Sequence, residues 1–183
     1  MRLHNKAPLV HVSQCLLVGL FLAWPTATRA QDIVSTLPVA GQAVAINSVT
    51  NRIYVTDCAS LHSAADGVVV VIDSATNSTS QISVGLCPKA IAVNPATNKI
   101  YVANIGDTQG SGYFSGGSVT VIDGTTNSAV AINDPHAPCA VAVNPTTNKI
   151  YVANRNSNDV TVIDGVTNSV TTVADPMLSL LSP

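Results

Sequence analysis

The chain has 183 residues, of which 10% are charged, with a formal net charge of −2 and no Glu. Scarce, scattered Lys and Arg exclude broad binding to a phosphate backbone, which takes clustered cations, and the lack of Glu speaks against long amphipathic helices, whose exposed faces favour Glu and Lys. Val, Ile, Thr, Asn and Gly dominate instead, the composition of short strands joined by tight turns, so the fold expected is all-β.

Residues 1–30 read as a secretory signal. Arg2, His4 and Lys6 make a basic start, Leu16–Trp24 (LLVGLFLAW) is an apolar run, and Pro25–Ala30 offers small residues for cleavage, so the mature chain is expected to begin at Gln31. The run is well short of the ~20 apolar residues of a membrane span, and Gln14 before Cys15 does not suit lipid attachment. No transmembrane span is expected after cleavage, and the product is expected to be secreted, periplasmic or at the cell surface. Residues 31–183 keep five basic side chains (Arg52, Lys89, Lys99, Lys149, Arg155) against ten Asp, a net of −5. Nucleic acid is therefore an unlikely partner.

The next stretch, Asp32–Val39 (DIVSTLPV), reads as a lone outer strand. Beyond it a phrase recurs three times: INSVTNRIYVTD at 46–57, NPATNKIYVAN at 94–104 and NPTTNKIYVAN at 144–154, its first Asn advancing by 47 and then 50 residues. A second phrase recurs out of step: VIDSATNS at 71–78, VIDGTTNS at 121–128 and VIDGVTNS at 162–169. From Asp73 to Asn94 and from Asp123 to Asn144 the interval is 21 in both cases, so the length variation sits between the IYV and VID phrases. A period near 40–50 residues holding four short strands predicts β-propeller blades, over about 42–84, 89–133 and 139–174, followed by a non-repeat tail at 176–183.

Within the second blade the expected strands are A at 89–94, B at 99–104, C at 118–123 and D at 128–132. Between A and B, Pro95 presets a turn and Asn98 tolerates the left-handed region; between C and D, the Asp123 side chain can accept backbone N–H bonds. Alternation puts Ile100 and Val102 on one face and Tyr101 and Ala103 on the other. Both faces are apolar because a neighbouring blade stacks on each, so Tyr54, Tyr101 and Tyr151 are all expected to be stacking residues.

The phrases IYVTD at 53–57, IYVAN at 100–104 and 150–154, and VTVIDG at 119–124 and 160–165 resemble the YVTN family of β-propeller repeats, over about residues 32–175. The resemblance implies a surface-layer or periplasmic type of propeller with seven blades, and fold relatives that include lactonases and amine dehydrogenase heavy chains. Three blades depart from that number. Either the sequence is a truncated copy, the preferred reading, or copies associate to complete a ring; both imply self-association through open blade faces.

A–B and C–D turns lie at one end of each blade, B–C and D–A connections at the other. The first set is nearly identical between repeats, a packing signature. The second set varies, and it holds the candidate binding residues Asp57, His62, Asp66, Asp107, Tyr113, Phe114 and His136, with Tyr113–Phe114 expected to be exposed in a Gly-rich loop. It also holds Cys58, Cys87 and Cys139, for which an oxidising compartment predicts a disulfide: Cys58–Cys87, with Cys87–Cys139 as the alternative. A metal site from these cysteines with His62 and His136 has no specific spacing, and Asp107 lacks the acidic series of a calcium loop. No metal, cofactor or catalytic residue is expected. Asp73, Asp123 and Asp164 hold a fixed repeat position and read as structural, and Asn77-Ser78-Thr79 fits a glycosylation sequon in form only.

The function expected is a secreted or surface-associated, non-catalytic binding scaffold for a protein or cell-surface ligand. The alternative is a propeller enzyme or enzyme subunit, lactonase-like or quinone-dependent dehydrogenase-like, for which the supply of Glu and His ligands is poor.

Overall fold

The computed structural model describes residues 41–58, 66–107 and 114–174. The chain divides into the units Met1–Thr36 and Leu37–Pro183, and every described residue lies in the second. The expected signal segment, the lone strand at 32–39 and the tail at 176–183 fall outside the described residues.

Twelve strands form three four-stranded antiparallel sheets, each in sequence order. The first blade is β1 (Ala43–Asn47), β2 (Arg52–Asp57), β3 (Asp66–Asp73) and β4 (Thr79–Leu86). The second is β5 (Pro88–Asn94), β6 (Lys99–Asn104), β7 (Ser118–Asp123) and β8 (Ala129–Asn133). The third is β9 (Pro138–Asn144), β10 (Lys149–Asn154), β11 (Asp159–Asp164) and β12 (Val170–Ala174). This is a partial β-propeller of about three blades, without helices among the described residues. The ladders run in register from the turns inward, as in Ile100↔Ile122 and Tyr101↔Val121, and slip only near the other end, for instance between Pro88 and Ala90.

The turns explain why the two phrases repeat. In each A–B turn the last Asn of strand A accepts a backbone N–H two residues on: Asn47 from Val49, Asn94 from Ala96 and Asn144 from Thr146, each at 3.1 Å. In each C–D turn Oδ1 of the Asp accepts two N–H groups, as Asp123 does from Thr125 (2.8 Å) and Thr126 (3.1 Å). An Asn in the left-handed region closes each turn: Asn51, Asn98 and Asn148 in one set, Asn77, Asn127 and Asn168 in the other. Asn tolerates that region better than most side chains. The two turns of a blade also touch, Gly124 N–H donating to Asn98 O (2.8 Å) and Gly165 N–H to Asn148 O (2.9 Å). A Cβ on either glycine would run into the neighbouring Asn side chain.

Period-two alternation gives each blade a back face led by Tyr and a front face led by Ile and Val. Tyr54, Val69 and Val71 on the back of blade one pack with Ile100, Val102 and Ile122 on the front of blade two, with Ile91 and Val93 beside them. Tyr101, Ala103, Val119 and Val121 on the back of blade two pack in the same way with Ile150, Val152 and Ile163 of blade three, with Val141 and Val143 beside them. Fully burying each such side chain stabilises by about 1.5–3 kcal/mol, so these two interfaces are the core.

Polar contacts repeat across both junctions. Asn47 Nδ2 donates to Asn98 Oδ1 and Asn94 Nδ2 to Asn148 Oδ1, both at 2.8 Å. Arg52 Nη1 reaches Gly124 O (2.7 Å) and Lys99 Nζ reaches Gly165 O (2.8 Å), each in the following blade. Lys149, the third of that series, instead turns back to Asp164 Oδ2 of its own blade at 2.7 Å. Tyr151 corrects an expectation: it is 42% exposed rather than stacked, because no blade follows the third among the described residues.

Candidate functional site at the variable end

At the end of the blades that carries the B–C and D–A connections, a disulfide joins Cys58, just past β2, to Cys87, just before β5, with the Cα atoms 4.5 Å apart. It therefore ties blade one to blade two. Ile105 and Ala137 hold the matching places between blades two and three and bury themselves with Cys87, while Cys58, Phe114 and Cys139 pack around them. Both Cys87 and Ala137 have positive φ, 46° and 58°, and each presents its carbonyl to the blade's own strand B: Ile105 N–H to Cys87 O and Arg155 N–H to Ala137 O, both at 3.1 Å. Cys139 carries a free thiol that contacts Ala153 O at 3.4 Å.

Where the third blade has Arg155 and Asn156, the second has Ile105 and Gly106, so the repeat breaks here. The Arg155 guanidinium carbon lies 5.4 Å from the centroid of the Phe114 ring, within cation–π range. Asn156 Nδ2 donates to Phe114 O (2.9 Å), and Asn156 N–H donates to His136 O (3.0 Å). His136 Nδ1 sits 3.2 Å from Asp134 Oδ1, and Asp134 is 3% exposed, its Oδ2 without a hydrogen-bond partner among the described residues. One chain of contacts thus runs Phe114–Arg155–Asn156–His136–Asp134 across the second and third blades.

Phe114 and His136 are thus brought together through Asn156. Phe114 is half-buried rather than fully exposed, since it leans on the Cys87–Ile105–Ala137 cluster. Asp107 is buried and exchanges both backbone bonds with Ser115 at 2.9 Å. Asp57 is half-buried at the end of β2 and Asp66 exposed at the start of β3, both in blade one. His62 and Tyr113 lie outside the described residues. Sequence reasoning passed over Asp134, Arg155 and Asn156. The available signal was that Arg155 replaces the small or apolar Cys58 and Ile105 of the other blades.

The opposite end is built from repeat positions. A shallow polar hollow of about 150 Å³ there is lined by residues including Arg52, Asp73, Ser78 and Asn127. The Asp carboxyls of the C–D turns are held below the usual carboxylate range, Asp123 chiefly by the Thr126 N–H and Asp164 chiefly by the Lys149 ammonium. These bonds serve the turns. Among the described residues no three His, Cys, Asp or Glu side chains converge to hold a metal ion.

No family model matches the chain, and no curated protein sequence matches it. Solved structures do. Hydrazine synthase of Kuenenia stuttgartiensis aligns with a TM-score of 0.60 at 19% identity, covering 82% of this chain and 40% of that one. The β-propeller domain of Cps50 (Swd1) from Myceliophteria thermophila aligns at 0.56 and 13% identity, over 79% and 42%. Apo AztD from Citrobacter koseri aligns at 0.54 and 18% identity, over 81% and 38%. The fold class is accordingly that of the β-propellers, and the chain spans about two fifths of the length of these structures.

Proposed function

We propose that the chain is a non-catalytic propeller of the YVTN-repeat type, secreted or surface-exposed, that acts as a binding scaffold through its variable end. The observation that carries this reading is Arg155 over Phe114, a cation–aromatic pair at positions where the repeat is broken. Repeat-conserving residues hold blades together; the Arg155 guanidinium, which leaves the pattern at the variable end, takes part in none of the repeated junction contacts. Arg155, Asn156 and His136 offer donors beside an aromatic edge, a chemistry suited to an acidic segment of a protein or surface polymer. The disulfide at Cys58–Cys87 supports an oxidising compartment, and the IYVAN and VTVIDG phrases support the repeat type. Likeness to hydrazine synthase is at the level of fold, and fold does not carry function.

The test is binding to arrays of acidic peptides and acidic glycans, comparing the native chain with Phe114→Ala, Arg155→Glu and Asp123→Asn. Binding should be lost in the first two variants and kept in the third, which lies at the opposite end. Binding indifferent to Arg155→Glu, or turnover of a lactone or amine that persists in homogeneous protein, would sink the proposal.

A further inference from the structure

Two residues of the variable end replace apolar residues of the repeat. The constant interval from Asp73 to Asn94 and from Asp123 to Asn144 makes Val84 the counterpart of Asp134, and Leu86 that of His136. The backbone agrees, since Leu86 O accepts the Gly106 N–H (3.1 Å) as His136 O accepts the Asn156 N–H (3.0 Å). Val84 is buried in the first junction, and Asp134 is equally buried in the matching place. An Asp-Pro pair recurs at 175–176, but Met177 stands where His136 does, so carboxylate and imidazole coincide in one repeat.

Burying a carboxylate is costly unless its lone pairs are satisfied. For Asp134 that holds by half. Its Oδ1 faces His136 Nδ1 (3.2 Å) and the His136 N–H (3.4 Å), while Oδ2 has no hydrogen-bond partner among the described residues. Val84 shows that the place needs no charge to build a blade. What the carboxylate does is fix the ring: an acceptor at Nδ1 holds the neutral imidazole's proton there and leaves Nε2 an acceptor. A second proton makes Nε2 a donor and gives the ring a positive charge, with a buried carboxylate already beside it. The His136 side chain is 43% exposed, within reach of a ligand.

We infer that Asp134 is a positioning residue that holds His136 as a protonatable contact for the acidic ligand of this site, so that the ligand binds more tightly as pH falls. The inference rests on the acidic-ligand reading proposed above. A carboxylate only accepts, so the neutral ring offers it nothing at Nε2. The protonated ring adds one charge-assisted hydrogen bond beside the permanent cation of Arg155. Histidine is the side chain whose charge ordinarily changes between about pH 5 and 8. The other titratable groups on the elements packed around His136 are already engaged. Asp107 is buried and bridged to Ser115, Asp159 Oδ1 accepts from Asn154 Nδ2 (2.7 Å), and the Cys139 thiol contacts Ala153 O (3.4 Å).

The experiment compares the purified native chain with Asp134→Val and His136→Leu, each of which installs the residue that blade one carries at that place. Both variants should fold, checked by a cooperative melt, and Asp134→Val should melt no lower than the native chain, since it removes a half-satisfied buried carboxylate. Nitrogen NMR of the imidazoles, with His136 assigned by its loss in His136→Leu, should show the neutral ring protonated on Nδ1. Binding of an oligo-aspartate peptide should tighten on the order of tenfold from about pH 8 to about pH 5.5, as one charge-assisted bond is added. That rise should vanish in His136→Leu and shrink in Asp134→Val. A native ring protonated on Nε2, an affinity indifferent to pH, a rise that survives His136→Leu, or a lower melt for Asp134→Val overturns the inference alone. Absence of binding at every pH overturns the acidic-ligand reading, and this inference with it.

Discussion

Tyr101 and Tyr151 hold the same place in the same phrase, yet Tyr101 is fully buried and Tyr151 is 42% exposed. Their local sequences are KIYVAN in both cases, so the difference lies in what packs on that face: blade three covers Tyr101, and among the described residues no blade covers Tyr151. Truncating a large buried aromatic costs about 3–5 kcal/mol, while surface changes stay within about 0.5 kcal/mol. Tyr101→Ala should therefore lose most of that range, and Tyr151→Ala almost nothing in a single copy, as read by urea midpoints. Tyr101 Oη has no hydrogen-bond partner among the described residues, so Tyr101→Phe should match or exceed the native stability. Equal losses for Tyr101→Ala and Tyr151→Ala would contradict the assignment of faces.

The Cys58–Cys87 disulfide closes a stretch of sequence separation 29 across the first junction. A loop of that length restricts the unfolded chain by about 3–4 kcal/mol in the entropic account. The double substitution Cys58→Ser with Cys87→Ser should lower stability by roughly that much, and reductant should shift the native chain to the same midpoint. A reductant-insensitive midpoint would show that the two thiols are not paired. At the corresponding place between blades two and three, Ile105 and Ala137 pack without a covalent link, so damage should concentrate in blade one, which hydrogen exchange resolves.

Much of the fold is legible in the repeats, because Asn and Asp at fixed offsets announce the turns and the Tyr–Ile alternation announces the two faces. Residue contacts within one blade are local in that sense. The site is different. Phe114, His136 and Asn156 come from three connections, with Phe114 and Asn156 separated by 42 positions in sequence, and no periodicity relates them. The exposure of Tyr151 was equally hidden, since burial there depends on how many blades follow and not on the phrase itself.

Acid and alkali should act on different parts of the molecule. Asp73, Asp123 and Asp164 titrate below their ordinary value when folded, Asp73 chiefly through the Thr76 N–H. Groups with depressed folded values contribute stability above the unfolded pKa of about 3.9 and lose it as pH falls through the folded values. Tyr54 and Tyr101 are pushed up by burial, so their contribution holds below about pH 10 and disappears as pH rises through the raised values. Urea midpoints should form a plateau between these limits and fall on both sides. Asp123→Asn should make the acid limb shallower, and Tyr101→Phe the alkaline limb. An acid limb that Asp73→Asn, Asp123→Asn and Asp164→Asn together leave unchanged would show that other carboxyls drive it.

The turn asparagines allow the sharpest test of backbone conformation. Asn168 has φ 59° in the third C–D turn, and its buried Oδ1 has no hydrogen-bond partner among the described residues. Its side chain therefore contributes tolerance of the left-handed region more than any bond. Asn168→Ala should destabilise by about 1 kcal/mol, the usual order for forcing a Cβ into that region without a compensating local bond. Asn168→Gly should be close to neutral, since relief of backbone strain and removal of the orphaned oxygen offset the larger entropy of the unfolded chain. Thermal melts of the two variants side by side decide it. If Ala were as good as Gly at this position, the turn would not need the left-handed residue that all three blades place there.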